Sequence, residues 1–478
     1  MAKTRIKFGT DGWRAKIAED YTFESVRYCA QGTADYIVSQ GMADRGMIIG
    51  YDMRFLSEEF AQAVAEVLVG NGVHVYLARQ AAPTPVLSYA ILPYKAAGGV
   101  WITASHNPPG DNGYKLRSDY GGAAAPETLL EVEKLIAVAQ DAERLQRTDY
   151  DRAVKEGKIE LIDPGEPYME QLARLIDTKP LIDAGLHVVV DAMWGVGQGW
   201  FTRLLSGGKT RIEEIHAERN PLFPRMRRPE PIDENLQDLF QRIKEVGADA
   251  GLANDGDADR VGFASEKGDF VNQLQVYALL SYYLLEIRGF RGPLVRTVST
   301  TVMANKLAKR YGVDVFETGV GFKYVAPKML EVDALMGGEE SGGFAFANHI
   351  PERDGILAGL YLLDLMVKTG KSPSQLIEKV YSLVGPHYYD RVDRRMAPDD
   401  KPATQARVQQ AKPESLAGMA VTDIDTRDGY RYVLEDGGWM LIRFSGTEPV
   451  IRVYCETTHE EKVQDLLAEG LALAGLSA

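Results

Sequence analysis

Cysteine is nearly absent from this sequence. Cys29 and Cys455 are the only two in 478 residues. That excludes a disulfide framework and a cysteine-based zinc site, and it points to a reducing compartment. Long apolar runs are missing too. No stretch reaches 18 uninterrupted apolar residues, so no membrane span is expected. The opening MAKTRIKFGTDGW lacks the apolar core of a signal peptide, and a cytoplasmic location is the resulting expectation. Positive charge is in deficit: 54 Lys and Arg stand against 68 Asp and Glu, a formal net charge of −14. This argues against nucleic acid or an anionic membrane as the main partner. An anionic ligand would have to be caught by a local basic cluster working against the global field. Low-complexity segments are also lacking.

What is present is ordinary globular material, 45% hydrophobic and 26% charged, long enough for about three or four domains. One rhythm recurs at 47–78, 186–217 and 292–319. Each copy has an apolar, β-branched run, a polar break, helical periodicity and a second run. The expectation is an α/β fold with three related units. The charged, then Pro/Gly-bearing stretch 151–176 fits a boundary near 155. A second boundary is expected near 265, after DADRVGF, and a third near 385, where YSLVGPHYYDRVDRR leads into a fourth unit. That last unit, with strand-like WMLIRF and VIRVYCET and a closing helix, reads as α+β. The expected domains are 1–155, 156–265, 266–385 and 386–478.

Four short stretches carry chemistry. In TASHNPPGDNGYK (103–115) a buried strand runs into a turn-rich loop that presents Ser105. His106 is adjacent, but neighbours in an extended segment point to opposite faces. On that reading His106 is poorly placed to deprotonate Ser105, and no G-x-S-x-G elbow surrounds it. In DGDADR (255–260) Asp255, Asp257 and Asp259 recur at every second residue. In an extended loop their carboxylates share one side and need a cation, and oxygen ligands select a hard divalent ion such as Mg²⁺. An EF-hand is disfavoured because Arg260 stands where that loop turns on Gly.

In MGGEESGG (336–343) glycines flank Glu339, Glu340 and Ser341. A carboxylate and a hydroxyl two residues apart suit paired sugar hydroxyls, although an ordinary polar turn has the same look. In RFSGTEPVIRVY (443–454) Ser445, Gly446 and Thr447 form a turn able to receive an anion, with Arg443 and Arg452 beside it. This is the local basic cluster that an acidic chain needs. KFGTDGWR (7–14) adds a Gly-rich turn ending in Arg14. Arg225, Arg227 and Arg228 in NPLFPRMRRPEP (220–231) read as a short solvated basic run. A loop serine, a carboxylate-held cation, a polyol turn and a phosphate grip together suggest phosphoryl transfer.

These four stretches, in this order and spread over essentially the whole chain, resemble the signatures of the α-D-phosphohexomutases, the phosphoglucomutase/phosphomannomutase family. The resemblance implies four domains around a central cleft, the first three sharing one α/β topology. It implies that Ser105 carries a phosphoryl group and, with Asp255, Asp257 and Asp259, holds one Mg²⁺. Phospho-Ser105 would phosphorylate a hexose monophosphate. The resulting bisphosphorylated sugar, which also serves as activator, would turn over in the cleft and return its other phosphate. Glu339 and Ser341 would hold two ring hydroxyls. Arg443, Ser445, Gly446, Thr447 and Arg452 would grip the phosphate that is not reacting. Lys115 and His106 would be acid/base or charge-stabilising groups near Ser105, and Arg14 and Arg260 would lie by the transferring phosphoryl. Lys323 would face the substrate, with His349 and Arg353 as further candidates.

The chain departs from the family pattern at Asp11, where Ser is common, at Ala15 in place of Gly, and at Gly343 in place of His. Glu340 stands where phosphoglucosamine mutases tend to carry Gln, which points away from an amino sugar. No residue decides between glucose and mannose. The expected partners are small sugar phosphates, with glucose phosphate preferred, mannose phosphate possible, and a phosphoglucosamine mutase or a non-catalytic sugar-phosphate binder as alternatives. The sequence leaves monomer and dimer equally open.

Overall fold

The computed structural model describes residues 5–9, 11–445 and 450–476. Its strands group into four sheets that follow one another along the chain. The first holds β1 (Trp13–Lys16), β2 (Met47–Tyr51), β3 (Val75–Ala78), β4 (Gly99–Ile102), β5 (Asp111–Arg117) and β6 (Ile159–Ile162), in the order β1-β5-β4-β2-β3-β6. The second holds β7 (His187–Asp191), β8 (Arg211–Ile215), β9 (Ala250–Asn254), β10 (Val261–Ala264) and β11 (Phe270–Val271), in the order β11-β10-β9-β7-β8. The third holds β12 (Leu294–Thr297), β13 (Val315–Thr318), β14 (Met336–Gly338) and β15 (Phe344–Phe346), in the order β13-β12-β14-β15.

One four-strand unit repeats through these sheets. A fully or largely buried strand (β2, β7, β12) pairs in parallel with the strand that follows it (β3, β8, β13) and with the next (β4, β9, β14). The last of these then returns as an antiparallel neighbour (β5, β10, β15). Parallel neighbours need helical crossovers, and helices Ser57–Gly70, Trp200–Leu205 and Met303–Tyr311 supply the first crossover in each unit. These are the helical stretches of the three sequence rhythms. The apolar runs in MIIGY and HVVVD are what strands covered on both faces require, while LVRT is buried with Arg296 paired to Glu317.

The repeat places the chemistry. The connection from β4 to β5 is the loop of Ser105, that from β9 to β10 carries the three aspartates, and that from β14 to β15 is the turn of Glu339 and Ser341. Three equivalent hairpin-like returns thus deliver the three motifs. One apolar core runs through all three units, including Trp101, Val188, Val190, Leu252, Leu294, Met336 and Phe344, so they pack as a single body.

The fourth sheet is antiparallel throughout: β16 (Tyr388–Arg395), β17 (Ser415–Leu416), β18 (Met419–Asp425), β19 (Tyr430–Leu434), β20 (Trp439–Phe444) and β21 (Val450–Thr457), in the order β16-β21-β20-β19-β18-β17. Helix Val463–Leu473 covers it, and Leu416, Met440, Val453 and Leu466 fill a separate core. It docks on the third unit through Trp439, Leu441 and Tyr454 against Leu274 and Val298. The buried Glu456 also accepts from the Thr301 hydroxyl and from the Val302 amide.

Candidate active site

Ser105 is buried, and its backbone lies in the left-handed region at φ 51°. For a residue with a Cβ that conformation is strained and must be held by its surroundings. Arg54 holds it. Its fully buried guanidinium donates to four carbonyl oxygens of the loop: Ser105 and Asn107 at 2.6 Å, Pro108 at 2.8 Å and Asp111 at 3.1 Å. The carboxylate of Asp52 lies 3.3 Å from the same guanidinium. The Ser105 amide donates to the Thr103 hydroxyl at 2.9 Å.

The left-handed turn corrects one expectation. The segment is not extended at Ser105, so His106 is not thrown to the opposite face. Its Nδ1 lies 3.3 Å from Ser105 Oγ and 2.9 Å from Arg260 Nη2. Arg260 can only donate, so Nδ1 is the accepting nitrogen of a neutral ring. Burial and the charge of Arg260 hold His106 well below the usual imidazole range.

The aspartate loop packs directly on the serine loop. Ser105 Oγ donates to Asp255 Oδ2 at 2.9 Å. A Cβ on Gly256 would stand 2.6 Å from the Ser105 carbonyl oxygen, so glycine is what permits the approach. Asp255, Asp257 and Asp259 are all buried, each offering a carboxylate oxygen within 4.8 Å of the others. Burial and then mutual repulsion with Asp259 and Asp257 push Asp255 well above the usual carboxylate range. Asp257 goes the other way: burial opposes ionisation, but Lys115 holds it down. Asp257 Oδ1 and Asp259 Oδ1 accept no hydrogen bond among the described residues, while Asp259 Oδ2 is ion-paired with Arg353. Three converging buried carboxylates with open oxygens fit a hard divalent cation.

Cations crowd the same place. Lys115 Nζ, fully buried on β5, lies 2.9 Å from Asp257 Oδ2 and 2.9 Å from Asp11 Oδ2. Burial opposes its charge, yet Asp11, Asp257 and Asp259 raise its pKa, so it stands protonated. Asp11, the departure noted in the first motif, also pairs with Arg117 at 2.9 Å and Arg353 at 3.1 Å. Arg14 donates to Asn107 Oδ1 at 3.1 Å, beside the serine loop. Arg260 is further braced by Glu230 at 3.0 Å.

Arg353, a minor candidate from the sequence, is the link between motifs. It lies 2.7 Å from Asp259 Oδ2 and 3.7 Å from Glu339 Oε2. Glu339 is buried, and desolvation raises it to about 7 despite Arg353. The Ser341 hydroxyl is buried without a hydrogen-bond partner among the described residues. Glu340 turns inward, accepting from Ser299 Oγ at 2.6 Å.

Other candidates stand apart from this cluster. His349 is buried, paired with Asp354 at 2.9 Å and packed on Tyr89 and Tyr168, so its role is to hold the start of helix Gly355–Thr369. Lys323 lies over the Tyr324 ring, with no described contact to Ser105, the aspartates or Glu339. On the fourth sheet Arg443 and Arg452 face each other across β20 and β21. Arg443 makes a two-pronged contact with Asp428 at 3.0 and 3.1 Å, and Arg452 is 3.3 Å from Asp393. Ser445 bonds its amide to Val450 O at 2.9 Å. Gly446 and Thr447 lie outside the described residues. Sequence reading missed Arg54 altogether; its signal was the Asp52-x-Arg54 pair closing the first apolar strand.

Four models of the phosphoglucomutase/phosphomannomutase family match in chain order: α/β/α domain I over residues 5–143, domain II over 166–268, domain III over 272–384 and the C-terminal domain over 392–472. A phosphoglucomutase/phosphomannomutase of Thermococcus kodakarensis is 34% identical over 466 residues, covering 98% of both chains. A "probable phosphoglucosamine mutase" of Methanothermobacter thermautotrophicus is 31% identical over 458 residues, covering 96% of this chain and 95% of that one. A crystal structure from Thermus thermophilus, assigned as a phosphomannomutase, superposes with a TM-score of 0.86 at 34% identity, covering 99% of this chain and all of the other. Four domains, a serine loop set on a carboxylate triad and these likenesses define an intramolecular phosphotransferase. The chain belongs to the phosphoglucomutase/phosphomannomutase family, the phosphohexomutases.

Proposed function

We propose that the protein interconverts hexose 1-phosphate and hexose 6-phosphate through phospho-Ser105 and a bisphosphorylated sugar, with glucose phosphate preferred and mannose phosphate accepted. The observation that carries this reading is the 2.9 Å hydrogen bond from Ser105 Oγ to Asp255, the first of three buried aspartates. A nucleophile already resting on a cation-binding carboxylate suits transfer of a phosphoryl group and little else. Asp255, Asp257 and Asp259, with a phosphate on Ser105, would hold Mg²⁺, which supplies charge neutralisation of the transferring group.

In the first transfer the bond from Ser105 Oγ to phosphorus breaks and a bond from a sugar hydroxyl oxygen to phosphorus forms. The sugar hydroxyl gives up one proton and Ser105 Oγ takes one, so the step balances. His106, whose Nδ1 lies 3.3 Å from Ser105 Oγ, would carry that proton once Nδ1 gives up the bond it accepts from Arg260. Lys115, Arg14 and Arg260 offer positive charge. Glu339 and Ser341 bind two ring hydroxyls. Arg443, Ser445, Gly446, Thr447 and Arg452 grip the distant phosphate, and Lys323 reaches the substrate once it is bound. The second transfer is the reverse of the first at the sugar's other end. The first two domain boundaries fall later than the expected 155 and 265, because β6 (Ile159–Ile162) pairs into the first sheet and β11 (Phe270–Val271) into the second; the boundary near 385, action of the bisphosphorylated sugar as activator and a cytoplasmic setting belong to the same reading.

A second reading, a phosphoglucosamine mutase, is supported by the name of the 31% identical Methanothermobacter relative. Glu340, whose Oε2 accepts from Ser299, points weakly the other way. Purified protein given glucose, mannose or glucosamine 1-phosphate, with Mg²⁺ and the matching bisphosphate, should form glucose 6-phosphate with the highest kcat/KM. A clear preference for glucosamine 1-phosphate would replace the first reading with the second. Absence of turnover on every sugar would leave a non-catalytic binder.

A further inference from the structure

The basic run at 225–228 has no place in the chemistry described so far. In the fold, Arg227 and Arg228 line one wall of a cleft of about 570 Å³ between the second and fourth units. The opposite wall is Arg391, Asp393 and Arg395 of β16 with Val450 and Arg452 of β21. In β16 alternate residues share a face, and Asp393 is the cross-strand partner of Arg452, which in turn opposes Arg443. Arg391 and Arg395 therefore extend, on the sheet edge, the face that carries Arg443 and Arg452.

Five arginines line this cleft in a chain of net charge −14. Four acids also line it, Glu230, Asp233, Glu234 and Asp393. Glu230, on the floor, is taken by Arg260 at 3.0 Å. Asp393 is shared between Arg452 at 3.3 Å and Arg391 at 3.6 Å. Asp233 and Glu234 are exposed. Arg227 and Arg395 have no hydrogen-bonding side-chain partner among the described residues. The floor leads to the reaction centre by a continuous path, from Glu230 to Arg260, His106 and Ser105. A volume of this size accommodates a small organic ligand, and arginines lining it from two units favour a phosphate over a neutral group.

We propose that this cleft is a second phosphate subsite, in which Arg391 and Arg395, with Arg227 and Arg228 across the gap, hold one phosphate of the doubly phosphorylated sugar during its turnaround, when neither phosphate is at Ser105. The proposal rests on the bisphosphate pathway above. The subsite keeps the intermediate from escaping between its two transfers.

The test is the partition of the intermediate. Phosphorylated enzyme is mixed with radiolabelled glucose 1-phosphate, and the fraction of label released as glucose 1,6-bisphosphate per turnover is counted. The R391Q/R395Q variant, which removes two guanidinium groups from the phosphate, should release at least about ten times more than wild type and should depend more steeply on added bisphosphate. The R391K/R395K variant should fall between the two. Should the glutamine variant fail to fold, rising salt applied to wild type should increase release in the same way. Equal release from wild type and folded variant overturns the subsite. If wild type forms no bisphosphate at all, the pathway beneath the proposal fails, and the proposal with it.

Discussion

Arg54 donates to the carbonyl oxygen of Ser105 at 2.6 Å, across 51 residues of sequence. The guanidinium that makes this bond also makes three others to the same loop, so one side chain fixes the strained turn that aims the serine. Lysine cannot reproduce a planar fork with this many directed donors. Arg54→Lys should fold and should lose about 10²-fold in kcat, with KM for the sugar phosphate little changed, because it misplaces the nucleophile rather than the substrate site. Steady-state kinetics check this. Arg54→Ala should be worse, because it leaves Asp52 buried and unpaired at a cost of about 3–5 kcal/mol, read as a fall in denaturation midpoint.

Removal of divalent cations should abolish turnover, and Mg²⁺ should restore it. Asp255, Asp257 and Asp259 repel one another inside the fold, so a bound cation should also raise the melting temperature. Asp259→Asn should lose about 10²–10³-fold in kcat and most of that thermal gain. A thermal scan with and without Mg²⁺ separates the two effects. An unchanged melting temperature on adding Mg²⁺ to the wild type would speak against the cation site.

Glu339 gives a pH signature. Burial raises it to about 7, above the ordinary value of 4.5, and its ionised form is the one that accepts sugar hydroxyls. The apparent kcat/KM should fall as pH drops through about 7, and Glu339→Gln should flatten that limb while lowering the plateau about tenfold. The stability effect has the opposite sense. Because the folded value exceeds the unfolded one, the neutral acid favours the fold; this contribution is whole below about pH 4.5 and is lost as pH rises through about 7. Glu339→Gln should therefore melt higher than wild type at about pH 8 and no higher at about pH 4.

Much of this architecture was legible along the chain. The apolar runs within 47–51 and 187–191 marked the central strands of the first two units, because strands buried on both faces favour apolar sequence; in the third, 294–297, the buried Arg296 breaks the run. The motifs of Ser105, the three aspartates and Glu339 were legible because each is a contiguous connection at the end of a strand. What stayed hidden acts across distance. Asp11 and Arg353 meet from positions 342 residues apart, and no local pattern announces such a pair. His106 was misjudged because a left-handed turn at Ser105 cannot be read from an apparently extended segment. The arginines at 227–228 read as a solvated run because Arg391 and Arg395, which line the same cleft, belong to a strand that only the fold brings alongside.

The central claim is that Ser105 carries the phosphoryl group, and peptide mass mapping with a single-turnover chase tests it most directly. Enzyme incubated with glucose 1,6-bisphosphate should carry one phosphoryl group on the peptide containing Ser105, and adding glucose 6-phosphate should remove it while glucose 1,6-bisphosphate forms. Ser105→Ala should show neither modification nor turnover. Phosphate found on another residue, or wild-type turnover in Ser105→Ala, would contradict the account.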